Sequence, residues 1–254
     1  VAWLQHYFVT AWIPNKGEAN LVQTRKDNQG NDLKPASVEA PAWIGGGLYD
    51  SEGYINGELS LYLTEGEHTI TLTGLREPML LRKLVLSNRT NAEDYEAVKK
   101  AQDAAGAVNT SGQMIRIEAE NVSRTSSQML YAQQDQSSPA VYPSSPKVLL
   151  NNTIGGNSWR LNGQWMEWEF EVPQTGYYHI SLFDKQNFVK GIYVSRRITI
   201  DGAVPFSEME HYGFTYDSGW REDVLSDEEG NPYCFYLEEG THTLRMEVVL
   251  GEFA

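Results

Sequence analysis

The strongest constraint on the fold is an alternating run within residues 159–173. Every second position is apolar, and the positions between hold one tryptophan and three glutamates: Met166, Trp168, Phe170 and Val172 alternate with Trp165, Glu167, Glu169 and Glu171. Successive side chains of a strand point to opposite faces, so the first set is predicted to be buried and the second to face water. Pro173 cannot donate to a ladder and ends the strand. The pattern therefore places Trp165 on the acidic, water-facing side of the strand, where it is either covered by another part of the chain or available to a flat ligand.

Short alternating or apolar runs between turn signals continue along the chain, which is typical of a β-sandwich or barrel. The predicted strands are 1–15, 59–63, 70–72, 80–86, 115–120, 177–183, 195–200 and 233–249. Asp201-Gly202 predicts a hairpin turn after one of them. Asn91 is predicted to cap a helix that ends near Gly106 and that lies on a surface or joins two domains.

An internal repeat divides the chain. Tyr62-Leu-Thr-Glu-Gly-Glu-His-Thr-Ile-Thr-Leu matches Tyr236-Leu-Glu-Glu-Gly-Thr-His-Thr-Leu-Arg-Met, and Asp50-Ser-Glu-Gly matches Asp227-Glu-Glu-Gly. Two copies indicate two related domains. The prediction is an all-β fold of two β-sandwich domains, residues 1–90 and 111–254, joined by a helical linker at 91–110. The first domain shows only the closing part of the motif set, and the place of residues 1–34 is left open.

Composition excludes several kinds of partner. The net charge of −14 repels phosphate backbones and anionic membrane surfaces, so nucleic acid is not an expected partner. No window approaches 18 continuous apolar residues, so no membrane insertion is expected. The single cysteine, Cys234, forbids an intrachain disulfide and is interpreted as a small core residue. The 14 Tyr and 7 Trp are typical of surfaces that bind a ligand. The abrupt ends of the chain predict that it is a piece of a larger protein.

Five motifs carry a resemblance to a known class: Ile117-Glu-Ala-Glu-Asn, Asn152-Thr-Ile-Gly-Gly, Gly163-Gln-Trp-Met-Glu-Trp, Val172-Pro-Gln-Thr-Gly-Tyr-Tyr and Gly240-Thr-His-Thr-Leu. In this order they resemble carbohydrate-binding modules of families 6 and 35, which are galactose-binding-like jelly rolls. The resemblance implies non-catalytic binding of a glycan or polysaccharide. The helix-joined pair also resembles the extracellular part of clostridial-type sugar ABC-transporter binding lipoproteins, which implies a bacterial cell-surface location.

The N-terminal run Leu-Gln-His-Tyr-Phe-Val-Thr-Ala-Trp-Ile-Pro, residues 4–14, has a different resemblance. It is similar to a short part of the periplasmic β-sandwich of the bacterial membrane-protein insertase YidC. The chain is therefore interpreted as a mosaic.

The carbohydrate-binding resemblance implies that loop aromatics stack on sugar faces and that amide or carboxylate groups fix the hydroxyls. By motif position the aromatic candidates are Trp159 and Trp220, to which the alternation adds Trp165. The other ligand candidates are Tyr216, Asn151, Asn152 and Asp217. For each tryptophan, a buried loop anchor is the alternative.

The same resemblance implies a calcium ion held by Glu118 and Glu120, because hard oxygen donors suit Ca²⁺. The chain has no matching aspartate in its last residues, Leu250-Gly-Glu-Phe-Ala, and an exposed acidic pair is the alternative. Two carboxylates side by side on one strand do not flank a scissile bond as glycosidase pairs do, so no catalysis is expected. The alternative function is a structural spacer or a protein-interaction domain.

Overall fold

The structure is a computed structural model. It describes residues 25–35, 47–48, 50, 54–55, 58–74, 80–86, 88, 91–188 and 190–251, together with the strand positions of 11–14 and 37–40. Of the predicted first strand, residues 1–15, only 11–14 lie within this description.

The described chain is built mainly from antiparallel strands. They are β1 (Ala11–Pro14), β2 (Ser37–Ala40), β3 (Arg124–Thr125), β4 (Ala132–Gln133), β5 (Thr153–Ile154), β6 (Trp165–Val172), β7 (Gly176–Tyr178), β8 (Ser181–Asp184), β9 (Val194–Ile200), β10 (Tyr212–Phe214), β11 (Arg221–Val224), β12 (Phe235–Leu237) and β13 (Gly240–Val248). Seven form one sheet in the order β10-β9-β13-β6-β3-β1-β2, and the others form the two-stranded ladders β8–β11, β7–β12 and β4–β5. The predicted all-β class is confirmed.

The core lies against the sheet face that carries the apolar side of β6. Met166 and Trp168 are buried there as the alternation predicts, and Phe170 packs against the same cluster. Strand β6 is paired with β13 over the whole length of β6, which places Met246 opposite Met166 and Leu244 opposite Trp168. The remaining buried members of the cluster are Val122, Leu130, Ile198, Phe206, Met209, Phe214, Leu225, Tyr233 and Phe235.

Of the two alternatives for Trp165, the structure shows the covered one. The other face of β6 is exposed at Glu169 and Glu171, but Trp165 is only 5% exposed. Arg245 on β13 covers it: the guanidinium carbon lies 4.0 Å from the indole centroid, and Nη2 donates to Glu167 Oε2 at 2.7 Å. The first half of β6 also pairs with β3 on its second edge, whereas its second half does not. Trp165 is therefore enclosed by neighbouring strands.

The single helix of the described residues, α1 (Tyr95–Ala104), confirms the predicted helix with a shifted start. Asp94, not Asn91, is the N-cap, and its carboxylate accepts from the Ala97 N–H at 2.8 Å. Tyr95 packs edge-on against Phe206 and Tyr233, at centroid distances of 5.0 and 4.8 Å. The helix therefore packs against the β structure of residues 111–251, which is called the second β unit below.

Several predicted strands do not form. Residues 59–63, 70–72 and 80–86 carry no strand, and neither does 115–120. The Asp201-Gly202 turn is confirmed, because Ile200 and Ala203 exchange backbone hydrogen bonds at 2.9 and 3.0 Å. The division into two domains stays a prediction. Among the described residues, no helix combines the length and the apolar character of a membrane span.

Candidate functional site

An aromatic pair lies on the outer face of the β8–β11 ladder. Phe183 pairs with Glu222, and Asp184 pairs with Arg221, so Trp220, which precedes β11, stands diagonally across from Phe183. The two rings are nearly parallel, at 19°, with centroids 5.5 Å apart. Phe183 is 46% exposed. These two residues are called the aromatic platform below.

A polar rim borders the aromatic platform. Lys185 Nζ lies 4.9 Å from the Trp220 ring centroid and donates to Asp135 Oδ2 at 2.7 Å and to Ser137 Oγ at 3.0 Å. The Trp220 indole N–H donates to the same Ser137 hydroxyl at 3.3 Å. Burial would raise the pKa of Asp135, but hydrogen bonds from Lys185 and Ser137 outweigh it and lower the pKa to about 2. The rim thus holds a fixed pair of opposite charges beside two stacked rings.

Arg221 fixes the loop that carries Trp220. Its guanidinium donates to the Thr215 hydroxyl at 3.1 Å, to the Thr215 carbonyl at 3.2 Å and to Asp223 at 2.9 Å. Its Nε also lies 3.7 Å from Asp184 Oδ1, a buried atom with no hydrogen bond. Burial, followed by the charge of Asp223, raises the pKa of Asp184 to about 6. The cost of this buried charge is partly offset by Arg221, which ties the loop to the strand.

Trp159 is a loop anchor rather than an open stacking face. Its indole N–H donates to the Gln164 carbonyl at 3.2 Å, and Arg196 lies over the ring at 4.0 Å. A Cβ at Gly155 would lie 3.3 Å from the indole, so the chain also packs closely there. Arg196 itself is 9% exposed, its Nε has no hydrogen-bond partner, and burial lowers its pKa to about 10.

Asn151 and Asn152 do not present free amides, contrary to the prediction that they fix sugar hydroxyls. Both are buried. Asn151 Nδ2 donates to the Leu33 carbonyl at 3.1 Å. Asn152 Nδ2 donates to the carbonyls of Asp135 and Pro143, both at 2.9 Å, while its oxygen accepts from the Asp135 N–H. These side chains hold the 135–152 loop in place, including the Asp135 of the polar rim.

Tyr216 and Asp217 lie on the same loop as Trp220 and are both half-buried. Asp217 donates its backbone N–H to the Gln186 carbonyl at 2.8 Å, and its carboxylate accepts from the Gly219 N–H at 2.8 Å. The aspartate therefore shapes the turn before Trp220. Its predicted role toward a ligand stays a prediction.

A cavity of about 1590 Å³ brings part of the predicted set together. Trp159, Trp220 and Asn152 line it, as do Phe183 and Arg196. Trp165 lies on the opposite face of β6 from the cavity-lining Met166 and Trp168 and is not part of it. Two of the three predicted tryptophans thus share one concavity.

The predicted calcium ligands do not fit a calcium site. Glu118 is ion-paired with Arg116 at 2.7 Å. Burial, followed by the charge of Glu118, raises the pKa of Glu120 to about 7, so this group is readily protonated near neutral pH. No three His, Cys, Asp or Glu side chains gather at a metal-binding distance anywhere in the described part of the chain. Residues 115–120 also do not form the strand that was predicted to carry the pair.

Sequence reasoning missed Phe183, Lys185, Asp135, Ser137 and Arg196. The alternation of β8 contained a signal for Phe183, because Leu182 packs inward and its neighbour must then point outward. Arg196, one of two adjacent arginines within a strand of β-branched and small residues, was a second available signal. Asp135 and Ser137 lie in a long polar loop whose place beside Trp220 has no local signature.

Residues 1–43 match the model of the YidC periplasmic domain. The membrane protein insertase YidC of Pseudomonas fluorescens (strain SBW25) is 94% identical over 45 residues, 16% of this chain and 8% of that protein. The YidC of Azotobacter vinelandii is 81% identical over 31 residues, 12% of this chain and 6% of that protein. The chain thus spans less than a tenth of the length of these relatives.

This match bears on three predictions. The expectation of no link to membrane insertion is wrong, because the N-terminal segment is similar to part of a membrane protein insertase. The predicted location outside the cytoplasm is supported in its coarse form, since the matched model describes a periplasmic domain. The predicted mosaic character agrees with the restriction of the match to residues 1–43.

Two solved structures superpose on part of the chain with low TM-scores. A cycloisomaltooligosaccharide glucanotransferase from Paenibacillus sp. superposes with a TM-score of 0.37 at 16% identity, covering 62% of this chain and 21% of that chain. A ruminal GH26 endo-β-1,4-mannanase gives 0.34 at 14% identity, covering 57% and 24%. Likenesses at this level carry no argument about fold or function. No carbohydrate-binding-module family is confirmed by the matches.

Proposed function

We propose that the chain binds carbohydrate without cleaving it, through the aromatic platform on the β8–β11 ladder. The observation that carries the proposal is the near-parallel stack of a half-exposed Phe183 on Trp220. A pyranose ring has a flat C–H face, and such a face packs on aromatic rings that a rigid scaffold holds in place.

The polar rim supplies groups that suit sugar hydroxyls. A hydroxyl both donates and accepts, so it can bond to the carboxylate of Asp135 and to the ammonium of Lys185. These two groups are already positioned by their 2.7 Å contact and by Ser137. Little side-chain freedom remains to be lost when a ligand binds, which favours affinity.

The polar rim itself supplies no general acid. A glycosidase needs one carboxyl group that is protonated at the working pH as a general acid. Asp135 is the carboxylate that contacts the rim lysine, and its pKa of about 2 keeps it ionised. We therefore propose a binding role alone, exercised outside the cytoplasm at a bacterial cell surface.

Isothermal titration of the full chain against a panel of soluble plant and host glycans tests this proposal. A saturable heat with at least one glycan is expected, and Trp220→Ala and Phe183→Ala should each weaken binding about tenfold or more, which corresponds to about 1.4 kcal/mol. Tyr62→Ala is the matched control, because Tyr62 is 93% exposed and does not line the platform cavity. It should leave affinity unchanged.

The unfolding temperature of each variant must stay close to that of the parent for the comparison to hold. Flat titrations across the panel would contradict carbohydrate binding and favour a spacer or protein-interaction role. Binding that survives both Trp220→Ala and Phe183→Ala would place the glycan elsewhere.

A further inference from the structure

The two copies of the internal repeat have the same local geometry at their turn. Gly66 and Gly240, 174 positions apart, have φ angles of +136° and +134°. His68 Nε2 lies 2.8 Å from the Thr64 carbonyl, and His242 Nε2 lies 2.7 Å from the Glu238 carbonyl. The offset of 174 therefore relates structurally equivalent residues.

Equivalent apolar side chains differ sharply in burial. In the second copy Phe235, Leu237, Leu244 and Met246 are between 2% and 8% exposed, whereas their counterparts Leu61, Leu63, Ile70 and Leu72 are between 37% and 62% exposed. The side chains of the second copy lie on the core side of β12 and β13. Residues 59–72 thus expose an apolar pattern that the second copy buries, and a group of exposed apolar side chains of this kind is typical of an interaction surface.

The second copy shows what covers this pattern. Strand β13 lies between β6 and β9, so Leu244 faces Trp168 on one side and Ile200 on the other. Strand β12 pairs with β7 through Phe235 and Tyr178. The cover therefore consists of three strands, β6, β7 and β9, contained in residues 163–201.

Two of the corresponding stretches of the first copy fall in sequence that matches a different family. At the same offset, β7 and β9 would correspond to residues 2–4 and 20–26. Both ranges lie within residues 1–43, which match the periplasmic domain of a different family. The strands that would complete the first copy are therefore expected in a segment other than residues 1–43.

We propose that residues 59–72 form a docking surface for the opening half of a jelly roll, a segment with three strands equivalent to β6, β7 and β9. Recognition is by strand addition, in which main-chain hydrogen bonds give affinity and the alternating apolar side chains give register. A second copy of this chain does not meet the requirement in its folded form, because its own residues 163–201 are already paired.

Hydrogen exchange of the full chain tests the docking surface directly. The probe is a soluble carrier protein fused to residues 163–201, and the matched control is the same fusion with Met166, Trp168 and Ile198 replaced by Ser. The probe is expected to slow amide exchange in 59–72 at least tenfold and to leave β13 unchanged. The control fusion is expected to have no effect.

A second variant separates docking from folding. Ile70→Ser with Leu72→Ser changes only exposed side chains, so the unfolding of the second β unit should be unaffected while protection by the probe is lost. Unchanged exchange at saturating probe, or equal slowing by the control fusion, would overturn the proposal. Protection of 59–72 that rises with chain concentration, without probe, would assign the surface to a second copy and overturn the proposed partner.

Discussion

Truncating Tyr95 measures how firmly helix α1 is docked on the second β unit. Its hydroxyl accepts the Cys234 backbone N–H at 3.1 Å, and its ring makes edge-on contacts with Phe206 and Tyr233. Each ring pair contributes about 0.5–1.5 kcal/mol beyond burial. Loss of the acceptor costs about 1 kcal/mol. The sum gives about 3 kcal/mol for Tyr95→Ala and about 1 kcal/mol for Tyr95→Phe, which keeps the ring contacts.

Thermal unfolding followed by circular dichroism provides the assay. For a unit of this size, about 2–4 °C of unfolding temperature corresponds to each kcal/mol. Tyr95→Ala should then lower the midpoint by about 6–12 °C, and Tyr95→Phe by about 2–4 °C. Tyr62→Ala, at a 93% exposed position, is the control and should cost no more than about 0.5 kcal/mol. A shift for Tyr95→Ala no larger than that of the control would refute the docked helix.

Three further predictions concern Asp184, His242 and Gly176. The pKa of Asp184 is about 6 in the folded protein and near 3.8 in the unfolded chain, so the folded protein holds the proton to higher pH. Stability should therefore fall as pH rises between these two values. Asp184→Asn should flatten that part of a plot of unfolding midpoint against pH. Burial opposes protonation of His242, but hydrogen bonds to Asp201 and to the Glu238 carbonyl outweigh it and raise the pKa of His242 above 6.5. The stabilisation from protonated His242 is therefore complete below pH 6.5 and is lost as pH rises through the folded-state pKa. His242→Gln should lower the unfolding midpoint more at pH 6 than at pH 9. A Cβ at Gly176, where φ is +155°, would lie 2.6 Å from Thr110 Cγ2 and 2.8 Å from the Val108 carbonyl oxygen. Gly176→Ala should therefore lower the free energy of unfolding in urea by about 2 kcal/mol or more. Gly74→Ala is the control and should be nearly neutral, because a Cβ there would meet open space.

Local patterns predicted those parts of the fold whose causes are local. The period of two in β6 correctly predicted that Met166 and Trp168 lie in the core. Successive side chains of a strand point to opposite faces, so this alternation can be seen in the local sequence alone. The same pattern could not decide whether Trp165 is covered, because the covering Arg245 comes from a strand about eighty residues later. The helix was predicted, but Asn91 and Asp94 are both good caps and the sequence could not choose between them.

The candidate site depended still more on distant contacts. Motif position indicated Trp220, but its stacking partner Phe183 follows from the pairing of β8 with β11. Asp135 comes from a third segment. The strands predicted within 59–72 illustrate the opposite failure, since their alternation is intact but no strand that the structure describes pairs with them. Alternation specifies a face, and a ladder partner is needed to form the strand.

The His-and-glycine corner shared by Gly66 and Gly240 keeps one shape in two very different surroundings. The backbone conformation of that corner must therefore be determined by its own five or six residues. Hairpin-sized closures take about 1–10 μs, well ahead of the pairing of strands that are far apart in the chain. A fragment transplanted by gene rearrangement would carry such a corner with it already shaped, ready to receive complementary strands from whichever neighbour supplies them.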